Sequence, residues 1–431
     1  MTHFFGKPRT WRRLAIPLAA LGVAATGGIA SADLVDAFFP PGIIGGDANV
    51  GITVYSREHK ATDPVGVHVG AFTIRPQVAV GGGYDSNPLF SHKPKGAELF
   101  QTTGSVSATS DWSTDKLSAL ITFDDTRYPS LSNQSATNWS ASLGQVFDFS
   151  TDRLALTATH LALHQTARDL NSAALDAPGA YGVNNLRATY AATRGQVTFT
   201  PQVQYTGYRY DDVAIAGTRV SQGYRDRDIV DGELATKFSF ALLRDVAVVL
   251  RGASIQYREA RPGQPKPDAT AVSALIGLDH ATSAVWRYRI LAGVQSRQSA
   301  SPAVKARTAP VVEANLIYMP SGLTTLGLTV TRAVQDAAGE FAAAFTYTEA
   351  RFSVDHELTR DLLLHGHVRV QRAEYDQTGT AETAANAEAS ATWLMNRNMR
   401  LVGSYAYISK QPAAGGTITE SLAMVRLQLG L

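Results

Sequence analysis

The sequence predicts an all-β fold, a transmembrane up-and-down antiparallel β-barrel of about 18 strands, with about 16 as the alternative count. Three observations lead there. Apolar and polar residues alternate with a period of two from about residue 70 to the end. Short turns recur at regular spacing, separated by longer polar segments. The chain opens on an export signal, and no later stretch approaches the roughly 20 apolar residues a helix needs to cross a bilayer.

The N-terminus comes first. Lys7, Arg9, Arg12 and Arg13 form a positive region, Leu14 to Ala25 an apolar one, and Ala30-Ser31-Ala32 a small-residue cleavage signal before Asp33. That order reads as a secretory signal peptide over residues 1–32, cleaved near Ala32. A membrane protein beyond it must be a closed barrel, since only that satisfies every backbone group without helices. The expected destination is the outer membrane of a Gram-negative cell. Composition agrees: the 431 residues are 45% apolar and 18% charged, with mean hydropathy −0.08, too polar for a helical membrane protein. The 39 basic and 37 acidic residues nearly cancel, giving no case for a nucleic-acid partner. With no cysteine, disulfides, thiolate metal sites and thiol nucleophiles are excluded, as is lipoprotein anchoring.

Residues 33–66 do not alternate. Phe38-Phe39-Pro40-Pro41 and Gly42 to Gly46 read as an extended periplasmic segment or a partial plug. The barrel is expected over residues 67–431. Val197, Phe199, Pro201, Val203 and Tyr205 oppose Thr198, Thr200, Gln202, Gln204 and Thr206. Val230, Leu234 and Phe238 oppose Asp231, Glu233 and Lys237, and Trp286, Tyr288 and Ile290 oppose Arg287 and Arg289. Leu364, Val368 and Val370 oppose His365, His367 and Arg369, and the last run sets Val425, Leu427 and Leu429 against Met424, Arg426 and Gln428. Two stretches, Val246–Arg258 and Ala269–His280, alternate weakly, which keeps the lower count open.

Eight short turns are expected, around Asp115, Asp152, Gly195, Leu243, Thr282, Gly322, Arg360 and Arg397, roughly 37 to 50 residues apart. That spacing accommodates one strand out, a loop and one strand back. With both termini periplasmic, eight turns require nine outer loops and about 18 strands. Trp286, Tyr288, Trp393, Phe147, Phe149, Phe238 and Phe240 lie close to the short turns, where an interfacial aromatic girdle belongs.

If the apolar faces meet lipid, the opposite faces line a lumen. The expected lining and solute-contacting residues are Arg75, Gln202, Gln204, Tyr208, Asp231, Glu233, Arg287, Arg289, Arg297, Glu349, His365, His367, Arg369, Glu388 and Arg426. Positive charge concentrates near 287–297 and 365–369 and negative charge near 231, which predicts oppositely charged walls and a transverse field. Gln202, Gln204, Thr206, Tyr208 and Tyr210 offer the hydroxyl, amide and ring surfaces that suit a sugar, though any polar lumen needs such residues. His365 and His367 share a strand face and invite a metal reading; at this spacing simple lumen lining is the commoner role. No nucleophile elbow, phosphate loop or metalloprotease motif occurs, so neither catalytic residues nor a cofactor or metal are expected.

The entry into the first strand, Tyr55-Ser56-Arg57, Pro64-Val65-Gly66-Val67 and Gly70-Ala71-Phe72-Thr73-Ile74-Arg75-Pro76, closing on Tyr84-Asp85-Ser86-Asn87, resembles an outer-membrane β-barrel porin family often associated with exopolysaccharide export. The resemblance implies a channel, with polysaccharide and periplasmic export components as partners besides outer-membrane lipid and the barrel-assembly machinery. The chain departs from barrels of this kind in ending at Leu429-Gly430-Leu431 rather than on an aromatic residue. A monomer is preferred, because no apolar patch specifies an interface. Two other classes stay open: a non-conducting structural or adhesin barrel, and a barrel enzyme.

Overall fold

The computed structural model describes residues 31–43, 53–55, 57, 59, 62–170, 172, 176–215, 217–241, 244–261, 263–280, 285–302, 306–336, 344–375 and 378–431. The expected signal peptide lies outside the described residues, except that Ser31 and Ala32 begin a short helix, α1 (Ser31–Asp36). A three-residue strand, β1 (Val67–Val69), pairs with the start of β2 (Phe72–Asp85). The wall continues through β3 (Ala97–Ser110), β4 (Lys116–Arg127), β5 (Ala136–Asp148), β6 (Asp152–Gln165), β7 (Gly179–Arg194) and β8 (Val197–Tyr210). A hairpin of β9 (Val213–Ile215) and β10 (Thr218–Val220) stands apart in the next long loop. Then follow β11 (Arg227–Ala241), β12 (Arg244–Tyr257), β13 (Ala269–His280), β14 (Trp286–Ser299), β15 (Arg307–Ser321) and β16 (Thr324–Asp336). The last five are β17 (Ala344–Thr359), β18 (Leu362–Tyr375), β19 (Thr380–Leu394), β20 (Met399–Gln411) and β21 (Ile418–Gly430).

Each long strand pairs antiparallel with its neighbours in chain order, and β21 returns to β2 from Gln77↔Gly430 to Asp85↔Leu422. Eighteen long strands therefore close into a barrel. The weakly alternating stretches are β12 and β13, which decides the count against sixteen. Short connections gather at one end, helped by positive φ at Ser150 (75°) and Gly195 (61°). The turns expected at Leu243 and Thr282 lie outside the described residues. Strands run from 12 residues in β4 to 16 in β7 and exceed the 9–11 or so that cross lipid, so both ends project beyond the hydrocarbon.

The two faces differ as the alternation requires. Leu186, Val203, Val230, Val272, Ile276 and Val294 are all more than half exposed and point outward. Near the short turns the outward face carries Phe147 against Phe149 (6.5 Å between ring centres) and Trp286 stacked on Tyr318 (4.1 Å), together with Phe238, Phe240 and Trp393. On the inward face Gly277 and Gly293 allow close approach of the two strands: a Cβ would lie 1.8 Å and 1.9 Å from the backbone oxygens of Ile290 and Ala274.

Two segments occupy the interior. In the long-loop half, Leu34 and Val35 of α1 and the following Phe39 pack on the inward Leu161, Val183, Tyr208, Ile229 and Ile255. From there the chain runs along β5 toward the short-turn end: the Phe38 carbonyl accepts a hydrogen bond from Ser142 Oγ (2.7 Å), and Gly144 leaves room for Ile43, whose Cδ1 would lie 2.5 Å from a Cβ there. Val54, Arg57 and Asp63 lie against the opposite wall. The Val54 N–H donates to Thr325 Oγ1 (3.0 Å), Arg57 pairs with Glu357, and Arg400 donates to Asp63 (2.6 Å). The loop between β6 and β7 is the second occupant. Arg168 reaches Asp85 (2.8 Å) and Glu420 (2.6 Å), Lys410 Nζ donates to the Asp169 carbonyl (2.5 Å), and Leu170 sits among Phe345, Tyr347, Ala373 and Tyr375. This loop gives way to β7 at Gly179.

Candidate lumen and constriction

The side chains that share a face with these interior segments are the polar members of each strand. Gln202, Gln204, Tyr208, Asp231, Glu233, Arg287, Arg289, Arg297, Glu349, His365, His367, Arg369, Glu388, Arg75 and Arg426 all occupy positions alternate to the exposed apolar residues, so they sit on the inner wall. On β8 the row Gln202, Gln204, Thr206 and Tyr208 is continuous, and Gln204 and Thr206 are fully buried.

On the acidic side the expected separation of charge is interrupted by cations. Arg251, on the weakly alternating β12, lies between the acidic strand and β15: its Nε donates to Glu233 (2.5 Å) and its Nη1 pairs with Glu313. Asp231 accepts from Gln204 Nε2 (3.3 Å), and Lys237 pairs with Asp279. Arg297 is held by Asp336 (2.6 Å). Acid and base therefore interleave between β11 and β16, where these arginines and the lysine each have a carboxylate at contact distance.

Arg187 was not among the sequence-derived candidates and is the hub of the inserted helix. Its guanidinium pairs with Asp36 (2.6 Å), donates to Gln204 Oε1 (2.5 Å) and lies over the Phe39 ring (4.4 Å). An isolated arginine inside alternating apolar neighbours carries no local sign of such a role. Below it, at the short-turn mouth, burial pushes the Tyr55 hydroxyl up and holds His59 below its ordinary value. Tyr55 lies against His365 (5.6 Å between rings) and its hydroxyl is 3.3 Å from Thr392 Oγ1.

The two histidines point to separate partners. His365 Nδ1 is 2.5 Å from Asp355 Oδ1, and His367 Nε2 is 2.9 Å from Asn386 Oδ1. Among the described residues no group of three or more His, Cys, Asp or Glu is arranged to hold a metal.

A closed antiparallel barrel with an apolar outer band and a polar, segment-filled interior defines a porin-type outer-membrane channel. Residues 60–430 match the family described as Putative beta-barrel porin 2, and the chain belongs to that family. Among solved structures it is similar to OpdK of Pseudomonas aeruginosa with vanillate (11% identity, 83% of this chain and 98% of that one, TM-score 0.44). It is also similar to a BenF-like porin from Pseudomonas fluorescens Pf-5 (8%, 84% and 100%, 0.44). A third is the FrpB iron transporter from Neisseria meningitidis (10%, 78% of this chain and 62% of that one, 0.43). At these values none of the three informs the cargo. No curated protein matches the chain.

Proposed function

We propose that this barrel is a restricted channel for polar solutes, with sugar-bearing molecules as the favoured cargo, whose lumen is narrowed by residues 33–66 after signal-peptide cleavage near Ala32. One observation carries the reading: charged and amide side chains occupy inward positions on β8, β11, β14, β17 and β18, while the described material obstructing the interior belongs to two separate segments docked by side-chain contacts. Gln202 is half-buried, whereas Gln204, Thr206 and Tyr208 are covered in this structure, so the row supplies amide, hydroxyl and ring surface for a sugar once α1 is displaced. Passage of an exopolysaccharide is the finer form and comes only from the family resemblance of the Tyr55–Asn87 entry.

Planar-bilayer recordings of the purified protein test this. Discrete conductance steps are expected, with partial block by neutral or acidic oligosaccharides. Silence from both the full chain and a form lacking residues 33–63 would overturn the channel reading. The same silence would support the second reading, a non-conducting structural barrel, which the double occupancy of the lumen favours.

A further inference from the structure

The outer wall carries a polar row across β16, β17 and β18 that the channel does not use. On β18 the outward residues Leu362, Leu364, Gly366, Val368 and Val370 cover the roughly 9 residues a tilted strand needs to cross lipid. The next outward positions are Arg372 and Glu374. On β16 the outward Leu326, Leu328 and Val330 give way to Arg332 at the same level, since Arg332, Thr348 and Arg372 are directly opposite one another across β16, β17 and β18. The apolar band therefore ends along one line, and arginines begin there.

The row is organised rather than scattered. Arg332 Nη1 donates to Thr348 Oγ1 (2.7 Å) and its Nη2 lies 3.5 Å from Glu374. Arg372 Nε donates to Glu374 (3.0 Å), while its side chain stays 54% exposed and so open to a ligand. The β15–β16 ladder stops at Val312↔Arg332, and above that point Arg307, on the inward parity of β15, donates to the buried Thr346 of β17. Two guanidiniums thus share a single carboxylate at the long-loop rim.

We propose that this rim patch binds the phosphate of a phosphorylated lipid of the outer leaflet. A phosphomonoester carries roughly −1.5 to −2 charges at neutral pH, which complements the surplus of guanidinium, and arginine's planar fork suits its oxygens. The position selects a lipid over a free anion: acyl chains descending from the phosphate would lie on Val370, Val368 and the half-exposed Phe352. The assignment rests on the long loops facing outward. Binding is read in detergent without any conductance, so its failure and that of the channel reading are separate results.

The experiment uses the full-length protein in detergent with three probes: bisphosphorylated lipid A, the same lipid with its phosphates removed, and inorganic phosphate. Native mass spectrometry and titration should show the phosphorylated lipid bound, at least about tenfold weaker binding for Arg332→Gln/Arg372→Gln, as expected from losing charge-assisted hydrogen bonds, and unchanged binding for Arg127→Gln at another rim position. A heat-modifiable gel shift reports that each variant keeps its barrel; should the double variant lose it, Arg372→Gln alone, at its exposed position, carries the test. Equal binding by wild type and variant, equal binding of the dephosphorylated lipid, or inorganic phosphate bound as tightly as the lipid would each overturn the proposal.

Discussion

The Arg168 guanidinium lies 2.8 Å from Asp85 Oδ2, tying the third long loop to the first membrane-crossing strand across the barrel mouth. Glu420 shares the same guanidinium at 2.6 Å, and both carboxylates are fully buried. Tyr128 adds a hydroxyl to Asp85 (2.7 Å).

Arg168→Gln leaves two buried carboxylates without a counter-charge, a change that costs about 3–5 kcal/mol in comparable buried pairs. The loop should leave the mouth. Larger single-channel conductance and faster proteolysis within residues 166–178 are expected. Unchanged conductance would show that the loop does not restrict the pore.

Val35 is fully buried between α1 and the inner wall. Val35→Asp places an unpaired carboxylate there, which should release the helix while the barrel, held by its own ladders, keeps its heat-modifiable gel shift. Open-channel current should rise in the same recordings.

Acid should loosen the N-terminal segment at the opposite mouth. Burial keeps His59 below its ordinary value of 6.5, with Glu357 3.8 Å away and Arg57 beside it. For a depressed imidazole the docked state binds fewer protons than the released one, so docking is strongest above pH 6.5 and weakens as pH falls through the lowered value. Protease nicking of residues 53–63 should therefore increase between pH 7.5 and about pH 5. A His59→Gln form, which cannot titrate, should lose most of that dependence.

Arg251→Gln exposes Glu233 and Glu313 to the lumen without their shared cation. A reversal-potential shift toward cation selectivity under a salt gradient is expected. No shift would place these carboxylates off the permeation path.

Much of the barrel is legible in the sequence because lipid imposes a period of two. The turn count yields eighteen strands, and the outward faces of β8, β11, β14 and β18 follow directly. The weak strands β12 and β13 have a physical cause. Their inward residues Ala247, Val249, Ile255, Ala269 and Leu275 are apolar and buried, packing on α1 or on one another, so the polar half of the pattern is missing. The interleaved charges were illegible for the same reason, since Arg251 lies on β12. Pairs such as Arg168 with Glu420, 252 positions apart, leave no local trace at all.

The inserted N-terminal segment is covalently continuous with β2. Any solute that binds behind it competes with a tethered ligand present at an effective concentration on the order of millimolar, whatever the protein's own dilution. Opening is therefore a first-order event, insensitive to how many barrels the membrane holds. A cargo needs a site affinity, or a local abundance, that exceeds this intramolecular standard before it can hold the passage open.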